Sequence, residues 1–160
     1  MSADKKKIVY NFRKNDLKNG GEGAPLAPIF HQLIATKINL DLPSCFLNIG
    51  GISNATIIYE PLGSFKFSSK DIGPGNCLID SWVRKNSKER FDHDGNLATQ
   101  GTTNEIILEQ AQELFVNRPV ENKNSLDVND FDVSFARGLT LEDGAATLTD
   151  FTARVISSTL

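Results

Sequence analysis

An α/β fold, a mixed β-sheet with flanking helices, is what this sequence predicts, and three observations carry the expectation. Two β-prone runs, 45–49 and 52–59, lie on either side of Gly50-Gly51, which is the pattern of a hairpin. Apolar residues recur at helical spacing in Leu78, Ile79, Trp82 and Val83, in Ile106, Ile107, Ala111, Leu114 and Phe115, and in Leu141, Ala145, Leu148, Thr152, Val155, Ile156 and Leu160. The strand-like and helix-like segments also follow one another along the chain, which suits sheet and helices sharing one core.

Taken in order, residues 8–12 are short, β-prone and flanked by charge, and are expected to enter the fold as a strand. The loop 19–25 is so rich in glycine that the backbone must turn sharply there or approach something closely. Pro28 suits the first turn of a helix in which Phe30, Leu33, Ile34 and Lys37 share an amphipathic spacing. After the hairpin a third β-like piece around 65–67 leads to Asp71-Ile72-Gly73-Pro74-Gly75-Asn76, and a helix follows. Residues 117–133 read as irregular and polar. Thr140-Leu141-Glu142-Asp143 resembles a capping box opening the last helix, which carries no stop signal before Leu160.

At 160 residues the chain is long enough for one ordinary core, and its 23% charged and 39% hydrophobic residues exclude a disordered polymer. No apolar run nears the ~18 residues of a membrane span, and a net charge of −3 gives no reason to attract nucleic acid. Lys5–Lys7 is not followed by an apolar stretch of signal-peptide length, so a cytoplasmic protein is expected. Cys45 and Cys77 form no CxxC pair and there are two histidines, so no metal site is expected and both thiols are expected to be buried.

Three glycine-rich loops, 20–25, 48–54 and 71–76, could present backbone N–H groups to an anion, although none has the spacing of a known nucleotide loop and tight turns are the commoner role. Asp71 stands near the end of a strand beside a helix N-terminus, where a carboxylate serves either as a base or as a bracing cap. Asp80 is read as solvent-facing or capping. Asp92-His93-Asp94-Gly95 fails as a calcium loop, because Leu97 and Thr103 fall where Gly and Glu are required. His31 is read as a packed or half-exposed helix residue, and Trp82 and Phe115 as core.

Four segments in sequence carry a resemblance. They are Phe12-Arg13-Lys14-Asn15-Asp16 with Gly20-Gly21-Glu22-Gly23-Ala24-Pro25-Leu26; Leu47-Asn48-Ile49-Gly50-Gly51-Ile52-Ser53-Asn54; Asp71-Ile72-Gly73-Pro74-Gly75-Asn76; and Ala146-Thr147-Leu148-Thr149. Together they resemble the anhydro-N-acetylmuramic acid kinases, bacterial enzymes of cell-wall recycling, with Ile72 replacing Thr in the family's DTGPGN. The chain departs from that family also at Asn11, where members usually carry Asp, and at Val128, where related sequences often carry Arg.

The resemblance implies a partial ribonuclease H-like (actin-like ATPase) fold, with residues 1–37 ending the first kinase domain and 38–160 forming the start and most of the second. It implies ATP and Mg²⁺ as cofactors, an anhydro amino sugar as substrate, and a homodimer. Asp71 would be the catalytic base, and Arg13 and Asp16 would bind sugar. Gly50, Gly51, Asn54, Gly73, Gly75 and Asn76 would lie at the nucleotide. The family's N-terminal ATP loop and C-terminal adenosine segment are expected outside this chain. Two expectations follow: the central part of such a kinase, or a catalytically inactive sugar-binding or protein-interaction module derived from one.

Overall fold

The computed structural model describes residues 8, 10–21, 23, 26–117 and 126–160. Lys5–Lys7, Glu22, Ala24, Pro25 and residues 122–125, on which some of the expectations above fall, lie outside the described residues. Three strands, β1 (Ser44–Ile49), β2 (Ile52–Tyr59) and β3 (Lys66–Pro74), pair in the order β1-β2-β3. Both pairings are antiparallel. Mixed directions were expected; the described strands run antiparallel because short connections join neighbours and no crossover intervenes.

Among the described residues there are six α-helices: α1 (Phe12–Lys18), α2 (Pro28–Lys37), α3 (Cys77–Asn86), α4 (Asn96–Gln100), α5 (Glu105–Val116) and α6 (Leu141–Thr159). The expected strand at 8–12 is corrected, since Phe12 already opens α1 and Ile8 and Tyr10 are exposed. Asn11 adopts a left-handed conformation, φ 60°, just before the helix, and Asn tolerates that conformation better than most residues. With the backbone turning there and no neighbouring strand among the described residues, the β-propensity of five residues has nothing to pair with.

The main core lies between α3, α5 and α6. Leu78 and Trp82 of α3, Leu108 and Ala111 of α5, and Ala145, Leu148, Phe151 and Val155 of α6 are buried together. Thr140 caps α6 by accepting the Asp143 N–H at 3.1 Å, as the sequence suggested. Trp82 Nε1 donates to the Leu141 carbonyl at 2.9 Å, which fixes α3 against the first turn of α6. Gly144 lies directly beneath the indole, where a side chain would collide with the ring.

Helical periodicity located α5 and part of its buried face, since Ala111 is buried and Phe115 packs against the core. Ile106 and Leu114 are exposed, while Leu108 and Ala111 point inward toward α6. On α2 likewise, Phe30 and Leu33 are exposed and Pro28 and Ala35 are buried. Cys77 is buried as expected, and burial pushes its thiol above the ordinary value, partly offset by nearby backbone hydrogen bonds. Cys45 corrects the expectation of two buried thiols: it is exposed on β1, an edge strand of the described sheet. The short helix α4 was not foreseen. Asp92 makes it, because its two carboxylate oxygens accept the Leu97 and Ala98 N–H groups at 2.8 and 2.9 Å.

Candidate functional site

The two faces of the sheet differ in chemistry because side chains alternate along each strand. Ala55 and Ile72 pack with Ile156 of α6 in a small apolar cluster. Opposite them, the register builds two cross-strand rows. Asn48, Asn54 and Asp71 form one, and Phe46, Thr56 and Ser69 form the next.

The register is regular through these rows and shifts just beyond them. Ser53 pairs with Gly73 and Asn54 with Asp71, so one step on β2 spans two on β3 and Ile72 is the extra residue. This is a β-bulge, a device that re-aims side chains and recurs beside functional sites. Asp71, the last residue before the bulge, stands in the row with Asn54, and the next residue, Ile72, packs into the apolar cluster on the α6 side.

The polar row forms one wall of a cavity of about 670 Å³. Asp71, Asn54 and Asn48 contribute from the sheet, Arg13 from α1, His31 from α2, and Leu126 to Val128 close another side. Asp71 is half-buried, and its Oδ2 accepts the Leu126 N–H at 2.8 Å. That bond holds one carboxylate oxygen in place and ties β3 to a segment 55 residues further on.

Of the nine residues singled out in the sequence, Asp71, Arg13 and Asn54 come together on this cavity. Asp16 is not among its lining residues; its carboxylate accepts the Gly23 N–H at 2.7 Å and braces the glycine loop. Gly50 and Gly51 form the hairpin turn, and their carbonyls accept from the start of α3: Gly75 N–H to Gly51 at 2.9 Å, Asn76 N–H to Gly50 at 2.7 Å, and Cys77 N–H to Gly51 at 3.2 Å. These three amides are therefore spent inside the protein, and the free-donor picture of the 71–76 loop does not hold for them. Gly73 packs against Val155 of α6. Asn76 lies instead on a second cavity, about 620 Å³, with Ile79, Asp80, Phe91 and Asp150. Asp80 itself approaches Arg84 at 3.8 Å one turn on.

The chain matches the model of the family described as anhydro-N-acetylmuramic acid kinase over residues 2–160. It belongs to that family. Among curated relatives, the anhydro-N-acetylmuramic acid kinase of Pelagibacter ubique is 51% identical over 156 residues, covering 95% of this chain and 40% of the relative. The enzymes of the same name from Methylorubrum extorquens and Gluconobacter oxydans are 40% and 36% identical, covering 96% and 95% of this chain and 40% and 43% of the relatives. The chain thus spans about two-fifths of the length of the curated relatives it matches.

Within this family member, Asn48, His31 and the Leu126 amide are site features that sequence reasoning did not single out. Asn48 was accessible in principle: a hairpin turning at Gly50-Gly51 sets it opposite Asn54 once the register is known. The Leu126 contact was not accessible, since nothing local to Asp71 specifies a partner 55 residues away.

Proposed function

We propose that this chain carries the sugar-side catalytic carboxylate of an anhydro-N-acetylmuramic acid kinase. The reaction is ATP-dependent hydrolytic opening of the 1,6-anhydro ring with phosphorylation at O6, giving N-acetylmuramic acid 6-phosphate. The observation that carries this is Asp71, anchored through one oxygen and set beside Asn54, Asn48 and Arg13 on one cavity. Family membership over residues 2–160 supports it.

Asp71 takes a proton from the water whose oxygen bonds to C1. The C1–O6 bond breaks, and O6 becomes the nucleophile that bonds to the γ-phosphorus as ADP leaves. Ring opening therefore supplies the acceptor oxygen, and one carboxylate serves both events. Arg13 pairs with the lactyl carboxylate of the sugar, which a guanidinium binds bidentately. Asp16 acts through the loop it braces.

The hairpin fits an approaching phosphate at one point. Gly51 is exposed, and a Cβ there would meet nothing within 4 Å, so a ligand has room at the turn. Gly50, Gly51 and Asn54 are the nucleotide-side residues in this reading, with Gly73, Gly75 and Asn76 shaping the start of α3 behind them. ATP would supply the phosphoryl group, and Mg²⁺ would offset the charge on the transferring phosphate. Such an ion keeps several waters and needs few protein ligands, and among the described residues no group of three or more His, Cys, Asp or Glu is suited to hold a metal.

The same reading carries an actin-like, ribonuclease H-like architecture, with residues 1–37 ending one domain and 38–160 belonging to the next. It also carries a homodimer and a cytoplasmic setting. Among the described residues no helix is long and apolar enough to cross a membrane. The test is phosphate transfer from ATP to the 1,6-anhydro sugar in the presence of Mg²⁺, with Asp71→Asn alongside. Turnover abolished by Asp71→Asn with sugar binding retained is the expected result. Turnover unaffected by that substitution removes Asp71 from the chemistry. Sugar binding without turnover, equal in both proteins, identifies a binding module instead.

A further inference from the structure

His31 occupies the same cavity as Asp71, and three contacts fix how its ring sits. Nδ1 lies 3.0 Å from Thr56 Oγ1. Thr56 Oγ1 in turn lies 3.1 Å from Ser69 Oγ. The imidazole stacks on Phe46 with centroids 4.8 Å apart and planes 3° from parallel. Phe46, Thr56 and Ser69 are one complete cross-strand row, so α2 delivers a histidine onto the row beside Asn48, Asn54 and Asp71. A ring seated so fully by one nitrogen and one face keeps one polar atom over, Nε2.

Among the described residues nothing occupies Nε2, and no buried side-chain polar atom there lacks a partner. Nε2 is therefore open to solvent, on a residue that lines the cavity. We propose that His31 is a substrate-positioning residue whose Nε2 contacts an oxygen of the bound amino sugar. This rests on the assignment of the Asp71 cavity to the sugar.

The hydroxyl pair behind the ring adds a property that a lone histidine lacks. If Ser69 donates to Thr56 and Thr56 to Nδ1, the proton sits on Nε2, which then donates to a carbonyl or carboxylate oxygen. If the chain runs in reverse, Nδ1 donates to Thr56 and Nε2 accepts from a sugar hydroxyl. Either sense works without moving the ring, because a hydroxyl serves as donor or acceptor by rotating its proton.

The experiment follows the two histidines of the labelled 160-residue chain by NMR while 1,6-anhydro-N-acetylmuramic acid is added. His93, with its side chain 74% exposed beside Asp94, is the internal reference. His31 ring signals and the Leu126 amide should shift together and saturably, with His93 unmoved. His31→Gln places an amide near the Nε2 position and should keep sugar affinity within about threefold, whereas His31→Asn places it near Nδ1 and should weaken affinity about tenfold, the loss expected for one ligand hydrogen bond. Equal affinity of His31→Asn and the parent chain overturns the proposal. So does a Leu126 shift with a silent His31, which leaves the sugar assignment standing. A moving His31 with a silent Leu126 keeps the His31 contact and removes the sugar from Asp71. Two silent sites at saturating sugar overturn both.

Discussion

Replacing Gly75 by Ala tests whether the turn of the hairpin and the start of α3 are as closely joined as the hydrogen bonds indicate. A Cβ built on Gly75 would lie 3.0 Å from the Gly50 carbonyl carbon and 3.1 Å from Ser53 Oγ, and closer still to the Gly50 oxygen. The first of these is backbone, which cannot swing aside as a flexible side chain would. Ser53 is also fixed, since it is fully buried and its hydroxyl donates to the Pro74 carbonyl at 3.0 Å. Relief then requires the turn to move off the helix and give up the bonds at 2.9, 2.7 and 3.2 Å. At about 1 kcal/mol net each, the three together amount to about 3 kcal/mol. For a chain of this size that corresponds to a melting temperature lowered by roughly 6–12 °C. Circular dichroism melts of Gly75→Ala and Gly51→Ala make the comparison, because Gly51 has open space around its Cβ position and should change stability by no more than about 0.5 kcal/mol. Equal melting of the two variants would refute the account of Gly75 as a close-packing glycine.

Trp82→Phe removes the indole donor to Leu141 and should destabilise by about 1–3 kcal/mol, measured by urea unfolding followed in the far ultraviolet. Asp92→Ala removes both side-chain acceptors from the first turn of α4 and should cost about 1 kcal/mol by the same measurement. A thiol reagent should label Cys45 in the folded protein and Cys77 only after denaturation, read as one modified site against two by mass spectrometry. Because burial raises the Cys77 thiol, its contribution to stability is complete below the ordinary thiol range and declines as pH rises through that range toward the raised value. Asp143 has the opposite sign. The Thr102 amide, and then the Thr140 hydroxyl, hold its carboxyl below the ordinary value, so its contribution is present above the carboxylate range and is lost as pH falls through the lowered value. Asp143→Asn should therefore flatten part of the stability loss as pH falls from about 5 through the lowered value in urea titrations.

Local chemistry was strong enough to reveal most elements. Gly50-Gly51 between β-prone runs announced the hairpin, Pro28 the start of α2, and Thr140 the cap of α6. It failed where the outcome depended on a neighbour. Residues 8–12 had strand propensity but no partner, and Ile106, Leu114, Phe30 and Leu33 had the right period but lie off the face that meets the core. At the candidate site Asp71 and Arg13 were legible as residues. Their meeting with Asn48 and His31 was not, because it requires a strand register and the docking of α2 over Phe46. The phosphate-loop expectation for 71–76 was weakened by a fact of packing: the amides a helix start offers were already taken by the hairpin carbonyls.

The position of Ile72 also bears on what a change of residue beside Asp71 would reach. The resemblance places Thr where this chain carries Ile, a change directly beside the proposed catalytic residue Asp71. Alternation along β3 separates the two neighbours: Asp71 lines the cavity, and Ile72 packs with Ala55 and Ile156 of α6. An apolar exchange there is answered by the helix, not by the ligand. Removing one residue between Asp71 and Gly73 would restore regular pairing with Ser53 and Asn54 and take away the side chain that fills the space between Ala55 and Ile156.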